Sequence, residues 1–247
     1  MVWVRSALFN VWFFGLTAVI GTFGIVLRLV APARTLGLAQ TWSAVMLYGA
    51  RVICGIRPVV TGWEHMPEGA ALIASEHQSA FDTIVWLSLV PKVSYIFKAE
   101  LADVPLFGPL LVPAGQIPVD RSGGAAAMRS MLAGAARARA AGRQIVIFPE
   151  GTRVAVGERV ELRPGIAALS ARTGLPIIPV ATDSGVRWPR RSFLKRPGPI
   201  RVMVGAPLPP GLRPAQLIVR LRESWDALHR ASGDPDRGVD KSVDESV

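Results

Sequence analysis

Cysteine and histidine are scarce in this chain of 247 residues. Cys54 is the only cysteine, which excludes an intramolecular disulfide and a metal cluster held by cysteines. It lies in an apolar stretch, so we interpret it as a small buried group rather than a nucleophile. The three histidines, at positions 65, 77 and 229, share no ligand spacing, and no metal is predicted.

Acidic residues are also few. The chain has 18 Asp and Glu against 28 Lys and Arg, a net charge of +10, which predicts an anionic partner such as nucleic acid or an anionic lipid surface. Half of the residues are apolar, and no zinc-finger, RNP or helix-turn-helix signature is present. This composition disfavours a nucleic-acid partner and favours membrane lipids.

Residues 1–55 supply the apolar surface that a membrane protein needs. Between Arg5 and Arg28 lie 22 residues without a charge, and as a helix they would extend about 33 Å, enough to cross a hydrocarbon core of about 30 Å. The 16 uncharged residues between Arg34 and Arg51 are short for a span and indicate an interfacial helix or the return arm of a helical hairpin. We therefore predict membrane-associated helices over residues 1–55.

Residues 56–232 have the alternating pattern of an α/β domain. Short apolar runs predict strands, helical patterns lie between them, and the predicted fold is a mixed, largely parallel sheet flanked by helices. Residues 233–247 contain five acids, two bases and almost no apolar side chains, which predicts a disordered tail. The predicted strands are 59–61, 72–74, 93–96, 116–119, 144–148, 177–180 and 201–204, and the predicted helices are 125–141, 166–173 and one over 217–228.

A histidine and an aspartate stand five residues apart in the run 77–82. Side chains five positions apart on a continuous helix point about 140° apart, but Ser79 and Asp82 form a capping-box pattern for a helix start. His77 then precedes the helix and can fold back onto Asp82, as a base oriented by a carboxylate. The alternative is that Asp82 only caps the helix and His77 is a loop histidine.

Cations follow three of the predicted strands. Lys98, Arg121 and Arg153 each come at or after a strand end, so parallel strands would bring them to one edge of the sheet as a pocket for an anion. Gly151 permits a close backbone approach there. The alternative for Lys98 and Arg121 is a solvated surface charge.

These motifs resemble those of the glycerolipid acyltransferases, the 1-acylglycerol-3-phosphate acyltransferase family, over residues 56 to 206. The matching segments are 77–82, 115–121, 148–153, 163–165 and 176–180. The resemblance implies that His77 and Asp82 are catalytic. It also implies that the substrate is bound by Lys98, Arg121, Glu150, Gly151, Thr152 and Arg153, although Glu150 could instead be a structural carboxylate that orients Arg153.

The implied reaction moves an acyl group from acyl-CoA or acyl carrier protein to the sn-2 hydroxyl of 1-acylglycerol 3-phosphate, without a cofactor. Alternatives are another lysolipid acceptor, such as lyso-ornithine lipid, or a non-catalytic protein that binds anionic lipids. Charge asymmetry around the first apolar segment places the catalytic domain on the cytoplasmic face of the cytoplasmic membrane if that segment spans. In related acyltransferases the N-terminal helices can instead enter one leaflet.

Two residues depart from the family pattern. Glu76 precedes His77 where Asn or a base is common, and its charge would favour the protonated imidazole and weaken it as a base. Pro118 replaces a bulkier apolar residue. Separately, a basic loop with two interleaved aromatic residues resembles a docking patch for a membrane surface or an acyl carrier, or is an ordinary solvated loop. Its cations are Arg187, Arg190, Arg191, Lys195 and Arg196.

Overall fold

The computed structural model describes residues 1–120 and 122–233. Arg121 and residues 234–247 lie outside the described residues. The prediction for Arg121 and the prediction of a disordered tail over residues 233–247 therefore stay predictions. The strands are β1 (Ile56–Thr61), β2 (Leu72–Ser75), β3 (Val93–Lys98), β4 (Ile117–Val119), β5 (Gln144–Ile147), β6 (Ile177–Thr182) and β7 (Gly198–Val204).

Helices lie between most of these strands. Short 3₁₀ turns cover Pro32–Arg34, Trp63–His65 and Ala99–Asp103, and a π-helical turn covers Ala50–Cys54. The α-helices are α1 (Val2–Val30), α2 (Thr35–Gly49), α3 (Phe81–Leu89), α4 (Gly108–Leu111), α5 (Gly124–Ala140), α6 (Gly165–Thr173), α7 (Ser184–Arg187) and α8 (Pro214–Ala231).

All seven predicted strands are present, and they form one mixed sheet. The strand order is β1-β7-β6-β2-β5-β3-β4. β6, β2, β5, β3 and β4 run parallel to one another, β7 is antiparallel to β6, and β1 is parallel to β7. The predicted α/β class and largely parallel sheet are confirmed, and the carboxyl ends of the five parallel strands meet at one edge.

Side-chain alternation along β2 assigns one core to each face of the sheet. Ile73 faces a cluster built with α1, α2 and α3, in which Phe81 and Trp86 are fully buried. Leu72 and Ala74 face a second cluster built with α5, α6 and α8. The predicted helix over 217–228 buries Leu217, Leu221 and Trp225 in that second core, as its apolar spacing requires.

The N-terminal helices form an antiparallel hairpin. The Trp12 indole N–H donates to the carbonyl of Val45 at 3.3 Å, and the Trp42 indole N–H donates to Thr17 Oγ1 at 2.9 Å. Gly49 lies directly beneath the Trp12 ring: a Cβ at Gly49 would stand 2.3 Å from Nε1 of Trp12. The two helices approach closely because this position of α2 has no side chain.

The hairpin also packs against the rest of the chain. Phe9 and Met46, each 1% exposed, belong to the core on the α3 face of the sheet. Near its start, α1 offers Ser6 Oγ and Asn10 Oδ1, which accept hydrogen bonds from the backbone N–H and Nζ of Lys195 at 3.0 and 2.7 Å. Near its end, Arg28 Nη1 donates to the carbonyl of Pro109 at 3.4 Å. α1 is therefore attached along its length.

The outer face of α1 remains apolar and uncovered. Within the described part of the chain, α1 alone is long and apolar enough to cross a membrane by length and composition, with a mean hydropathy of 2.0 over its best 18 residues and 11% of that window buried. Val11 and Phe14 are 74% and 67% exposed, and Leu29 is 72% exposed. An apolar stripe of this size on a folded protein indicates a membrane or protein contact.

We expect Gly49→Ala to destabilise the hairpin by about 1–3 kcal/mol, because the added methyl group forces the Trp12 ring from its place against α2. The matched control is Gly37→Ala in the same helix, where a Cβ meets nothing within 4 Å. There the loss of glycine should be neutral or stabilising by up to about 1 kcal/mol. Thermal unfolding of both full-length variants in one detergent compares them, and equal stability would contradict the assigned contact.

Candidate active site

The site lies where β2 and β5 end, at the shared carboxyl edge of the parallel strands. β2 ends at Ser75 and leads through Glu76 to His77, while β5 ends at Ile147 and leads into residues 148–153. Because β2 and β5 are hydrogen-bonded neighbours, the two sequence motifs meet. This juxtaposition of the motifs is what the sequence predicted for parallel strands.

The Asp82 carboxylate turns the chain between His77 and α3. Its Oδ2 accepts the backbone N–H groups of Gln78 and Ser79 at 2.7 and 2.8 Å and lies 3.1 Å from Nδ1 of His77. The predicted fold-back of His77 onto Asp82 is therefore present. α3 begins at Phe81 with Ala80 as its N-cap and without a side-chain cap. The predicted capping box is therefore only half formed: Asp82 accepts the Ser79 N–H, while Ser79 Oγ accepts the N–H of Phe81 at 3.1 Å rather than that of Asp82.

Residues 148–154 hold His77 from the other side. The Phe148 ring stacks on the imidazole with 4.1 Å between ring centroids. The backbone N–H of His77 donates to Glu150 Oε2 at 2.6 Å, and the carbonyl of His77 accepts the Val154 N–H at 2.7 Å. The His77 side chain is 12% exposed and that of Asp82 is 2% exposed, so the pair opens to solvent only through the imidazole.

Glu150, Gly151 and Thr152 form the turn that carries Arg153. Glu150 is buried and accepts the His77 N–H, so it holds the backbone of His77 in place. Gly151 has a φ of 69° and donates its N–H to the carbonyl of Phe148 at 2.9 Å, a left-handed conformation that favours glycine. Thr152 is exposed at the tip of the turn. Substrate contacts for these residues stay predictions.

Arg153 is half-buried and lies close enough to Asp82 for their charges to interact. Burial lowers the pKa of its guanidinium, the Asp82 carboxylate opposes that shift, and the neighbouring charge of Arg190 adds to it. The pKa of an arginine starts far above neutrality, so the guanidinium is still a cation at neutral pH. The structure thus places a fixed positive charge beside the His77 and Asp82 pair.

Arg190 is a site residue that the sequence did not predict as one. The sequence pattern places Arg190 in the basic loop, but its guanidinium donates to the carbonyl of Arg153. The two residues are 37 positions apart, and no local motif marks the contact. Two arginines therefore stand together at this edge of the sheet.

Lys98 is on the same edge of the sheet but farther from His77. It is the last residue of β3, which β5 separates from β2. Its side chain is 49% exposed and pairs with Glu100 at 2.9 Å. Of the three cations in the predicted pocket, Arg153 lies within electrostatic range of the Asp82 carboxylate and Lys98 is in an exposed ion pair, while Arg121 is outside the described residues.

Glu76 and Lys195 are buried, and no pattern in the sequence indicated their partners. Glu76 Oε2 accepts the Thr182 N–H at 3.0 Å and lies 2.7 Å from Nε2 of His229. Lys195, predicted as part of a surface loop, is 5% exposed, and burial lowers the pKa of its ammonium. The rings of Phe9, Trp188 and Phe193 surround its Nζ at 5.6–6.0 Å from their centroids.

Known proteins resemble this chain in sequence and in fold. Residues 57–183 match the family model described as Acyltransferase, a range that contains both motifs. Over 204 residues the chain is 33% identical to the 1-acyl-sn-glycerol-3-phosphate acyltransferase of Pseudomonas aeruginosa, covering 82% of this chain and 79% of that protein. It is 32% identical over 198 residues to the 1-acyl-sn-glycerol-3-phosphate acyltransferase of Limnanthes alba, with 78% and 69% covered.

A solved structure shares the whole architecture. The crystal structure of the 1-acyl-sn-glycerophosphate (LPA) acyltransferase PlsC from Thermotoga maritima matches with a TM-score of 0.71, covering 92% of this chain and 97% of that one. At 20% sequence identity, this likeness supports the fold, and the sequence relatives carry the family. The chain therefore belongs to the glycerolipid acyltransferase family that the motifs at His77 and Arg153 predicted, and it is an O-acyltransferase.

Proposed function

We propose that this acyltransferase moves an acyl group from a carrier thioester, acyl-CoA or acyl carrier protein, to the sn-2 hydroxyl of 1-acylglycerol 3-phosphate. The product is phosphatidic acid. The observation that carries the proposal is the 3.1 Å contact between His77 Nδ1 and Asp82 Oδ2, with the Arg153 cation beside it. The relatives named for this substrate support the choice of acceptor.

The contact with Asp82 assigns a different task to each ring nitrogen of His77. Nδ1 faces the carboxylate, which fixes the tautomer with its proton on Nδ1 and leaves Nε2 as the base. Nε2 takes the proton of the acceptor hydroxyl as that oxygen attacks the thioester carbonyl. The new C–O ester bond forms, the C–S bond breaks, and the sulfur leaves as a thiol with the proton that His77 returns.

Arg153 and Arg190 are proposed to bind the acceptor phosphate. A guanidinium matches a phosphate monoester with two parallel hydrogen bonds, and partial burial makes the charge more effective than on open surface. Gly151 has no side chain and would let the backbone approach the phosphate closely. Thr152 and Glu150, in the same turn, are also proposed to contact the substrate. Lys98, at the end of β3, and Arg121, which lies outside the described residues, are also proposed to contact the substrate.

We propose that α1 lies in one leaflet of the cytoplasmic membrane, with the catalytic domain on its cytoplasmic face. Asn10 and Arg28, both bonded to the domain, are about 27 Å apart along a helix. If α1 crossed a hydrocarbon core of about 30 Å, the domain would have to contact it on both sides of the membrane. Partial insertion of the exposed stripe avoids this conflict.

His77→Ala is expected to lower kcat by about 10²–10⁴, because the base is lost while the binding groups remain. Asp82→Asn should be milder or comparable, since the imidazole is retained but loses its orienting charge. The assay is acyl transfer by purified protein with both thioester donors. The control is His65→Ala, in the 3₁₀ turn after β1, and His77→Ala with more than half the wild-type activity would refute the mechanism.

Arg153→Ala is expected to raise KM for 1-acylglycerol 3-phosphate by roughly 10–100-fold, since a hydrogen bond to a charged group contributes about 1.5–3 kcal/mol. KM for the thioester donor should stay within about twofold. Arg172→Ala, an exposed arginine in the last turn of α6, is the control. If Arg153→Ala raises KM for the donor and leaves KM for the acceptor unchanged, the phosphate site lies elsewhere. If the substitution lowers acyl transfer to lyso-ornithine lipid as much as it lowers transfer to 1-acylglycerol 3-phosphate, a different class of acceptor is favoured.

The substitutions Val11→Lys and Phe14→Lys together are expected to release the protein from neutral liposomes, because they place two ammonium groups on the stripe proposed to enter lipid. Flotation at high salt measures the bound fraction, which should fall well below half. The matched control places two lysines at Ala133 and Ala136, exposed positions of α5, and should float like the wild type. Full flotation of the α1 variant would exclude this face as the anchor.

A further inference from the structure

A buried carboxylate and a buried imidazole, those of Glu76 and His229, lie next to the segment that carries His77. Glu76 and His229 are 2% and 3% exposed, and 2.7 Å separates Glu76 Oε2 from His229 Nε2. His229 lies in the last turn of α8, 153 positions along the chain. Because side chains alternate along an extended chain, Glu76 reaches the α8 face of the sheet while its neighbour His77 reaches the α3 face.

Glu76 ties the residue before His77 to β6 through both backbone and side chain. Its backbone N–H donates to the carbonyl of Val180 at 2.9 Å, extending the ladder of β2 and β6 past the end of β2. Its carboxylate accepts the N–H of Thr182 at 3.0 Å. The alignment of the chain before His77 with β6 therefore depends on the position of the Glu76 carboxylate.

α8 holds the end of β2 at two points. The indole N–H of Trp225 donates to the carbonyl of Ala74 at 3.2 Å, and His229 meets Glu76 two residues later. Glu76 also lines a small polar cavity with Glu150, the acid that binds the His77 N–H. The other charged side chains that face this cavity are Glu158, Arg159, Arg222 and Asp226.

A carboxylate in such a place requires a partner. Burial disfavours the charged form unless donors compensate it, and loss of one partner leaves the other desolvated and unmatched. The backbone N–H of Thr182 is one of its donors and the His229 imidazole is another. The imidazole thus keeps Glu76 in the conformation that also binds β6.

We propose that Glu76 and His229 form a positioning pair for His77, through which α8 sets the placement of the base against its acceptor. Neither residue touches the reacting atoms. The inference rests on the catalytic role proposed for His77, and it adds that α8 determines how well that role is performed. Misplacement of a reacting group by about 1 Å can cost about 10²-fold in rate.

The test compares His229→Leu with His229→Gln in the full-length enzyme. Leucine removes the donor, whereas the glutamine amide can still donate to Glu76. We expect His229→Leu to lower kcat by at least about 10-fold with both KM values within about twofold, the pattern of a lost alignment rather than lost binding. His229→Gln should recover kcat to within about threefold of the wild type.

A second variant keeps the test decisive if His229→Leu folds poorly. Glu76→Gln preserves shape while removing the charge, and it should lower kcat with the same unchanged KM values. Adding His229→Leu to it should cost less than about a further twofold, because residues that act as one unit have non-additive effects. Leu221→Val, which loosens the buried face of α8 about two helical turns before His229, should lower the unfolding temperature and leave kcat unchanged.

Each outcome has a separate meaning. Equal losses of kcat in His229→Leu and Leu221→Val at equal loss of stability, or failure of His229→Gln to rescue, would reduce the pair to a structural contact and overturn the inference. Wild-type kcat in His229→Leu would overturn it as well. An active His77→Ala enzyme would instead refute the proposed base, so failure of the function and failure of the positioning pair are distinguishable.

Discussion

One oxygen atom, Oδ2 of Asp82, determines the shape of the site. It accepts two backbone N–H groups and faces the imidazole of His77, so the turn that starts α3 and the orientation of the base are the same interaction. Without that carboxylate, the N–H groups of Gln78 and Ser79 would be buried without their acceptor, a costly arrangement. Local folding and proposed chemistry therefore cannot be separated at this position.

The same solution recurs around the carboxyl edge of the sheet. Glu76, Glu150 and Asp183 are buried like Asp82, and each accepts a backbone N–H from another segment: Thr182, His77 and Arg201 respectively. Acids are few in this chain, and these four lie inside. Burial of these acids increases the excess of positive charge on the outer surface, which fits the proposed attachment to a membrane that contains anionic lipid.

The sequence predicted those features that depend on short-range patterns. Apolar runs gave every strand, although β1 and β7 begin at Ile56 and Gly198, three residues earlier than predicted, because strand ends follow pairing rather than apolar composition. The pairing of His77 with Asp82 followed from spacing and cap chemistry within six residues. Parallel strand order then brought the second motif beside the first.

The features that the sequence did not predict depend on contacts between distant residues. Arg190 reaches Arg153 across 37 positions, Lys195 reaches Asn10 across 185, and His229 reaches Glu76 across 153. Each of these side chains belongs to a type that is usually solvated, and only tertiary packing removes it from water. Composition indicated a charged loop and an isolated histidine, and nothing local distinguished these residues from surface groups.

The attachment of α1 at both of its ends has a consequence for substrate selection. A membrane helix that moves with the domain as one rigid body fixes the height of the His77 imidazole above the membrane surface. Under the proposed mechanism, only a hydroxyl that protrudes from the bilayer to that height can reach the base, whatever the length of the acyl tails below it. With α1 in one leaflet, as proposed, the helix spans no second interface, and this height should be the same in thin and thick bilayers.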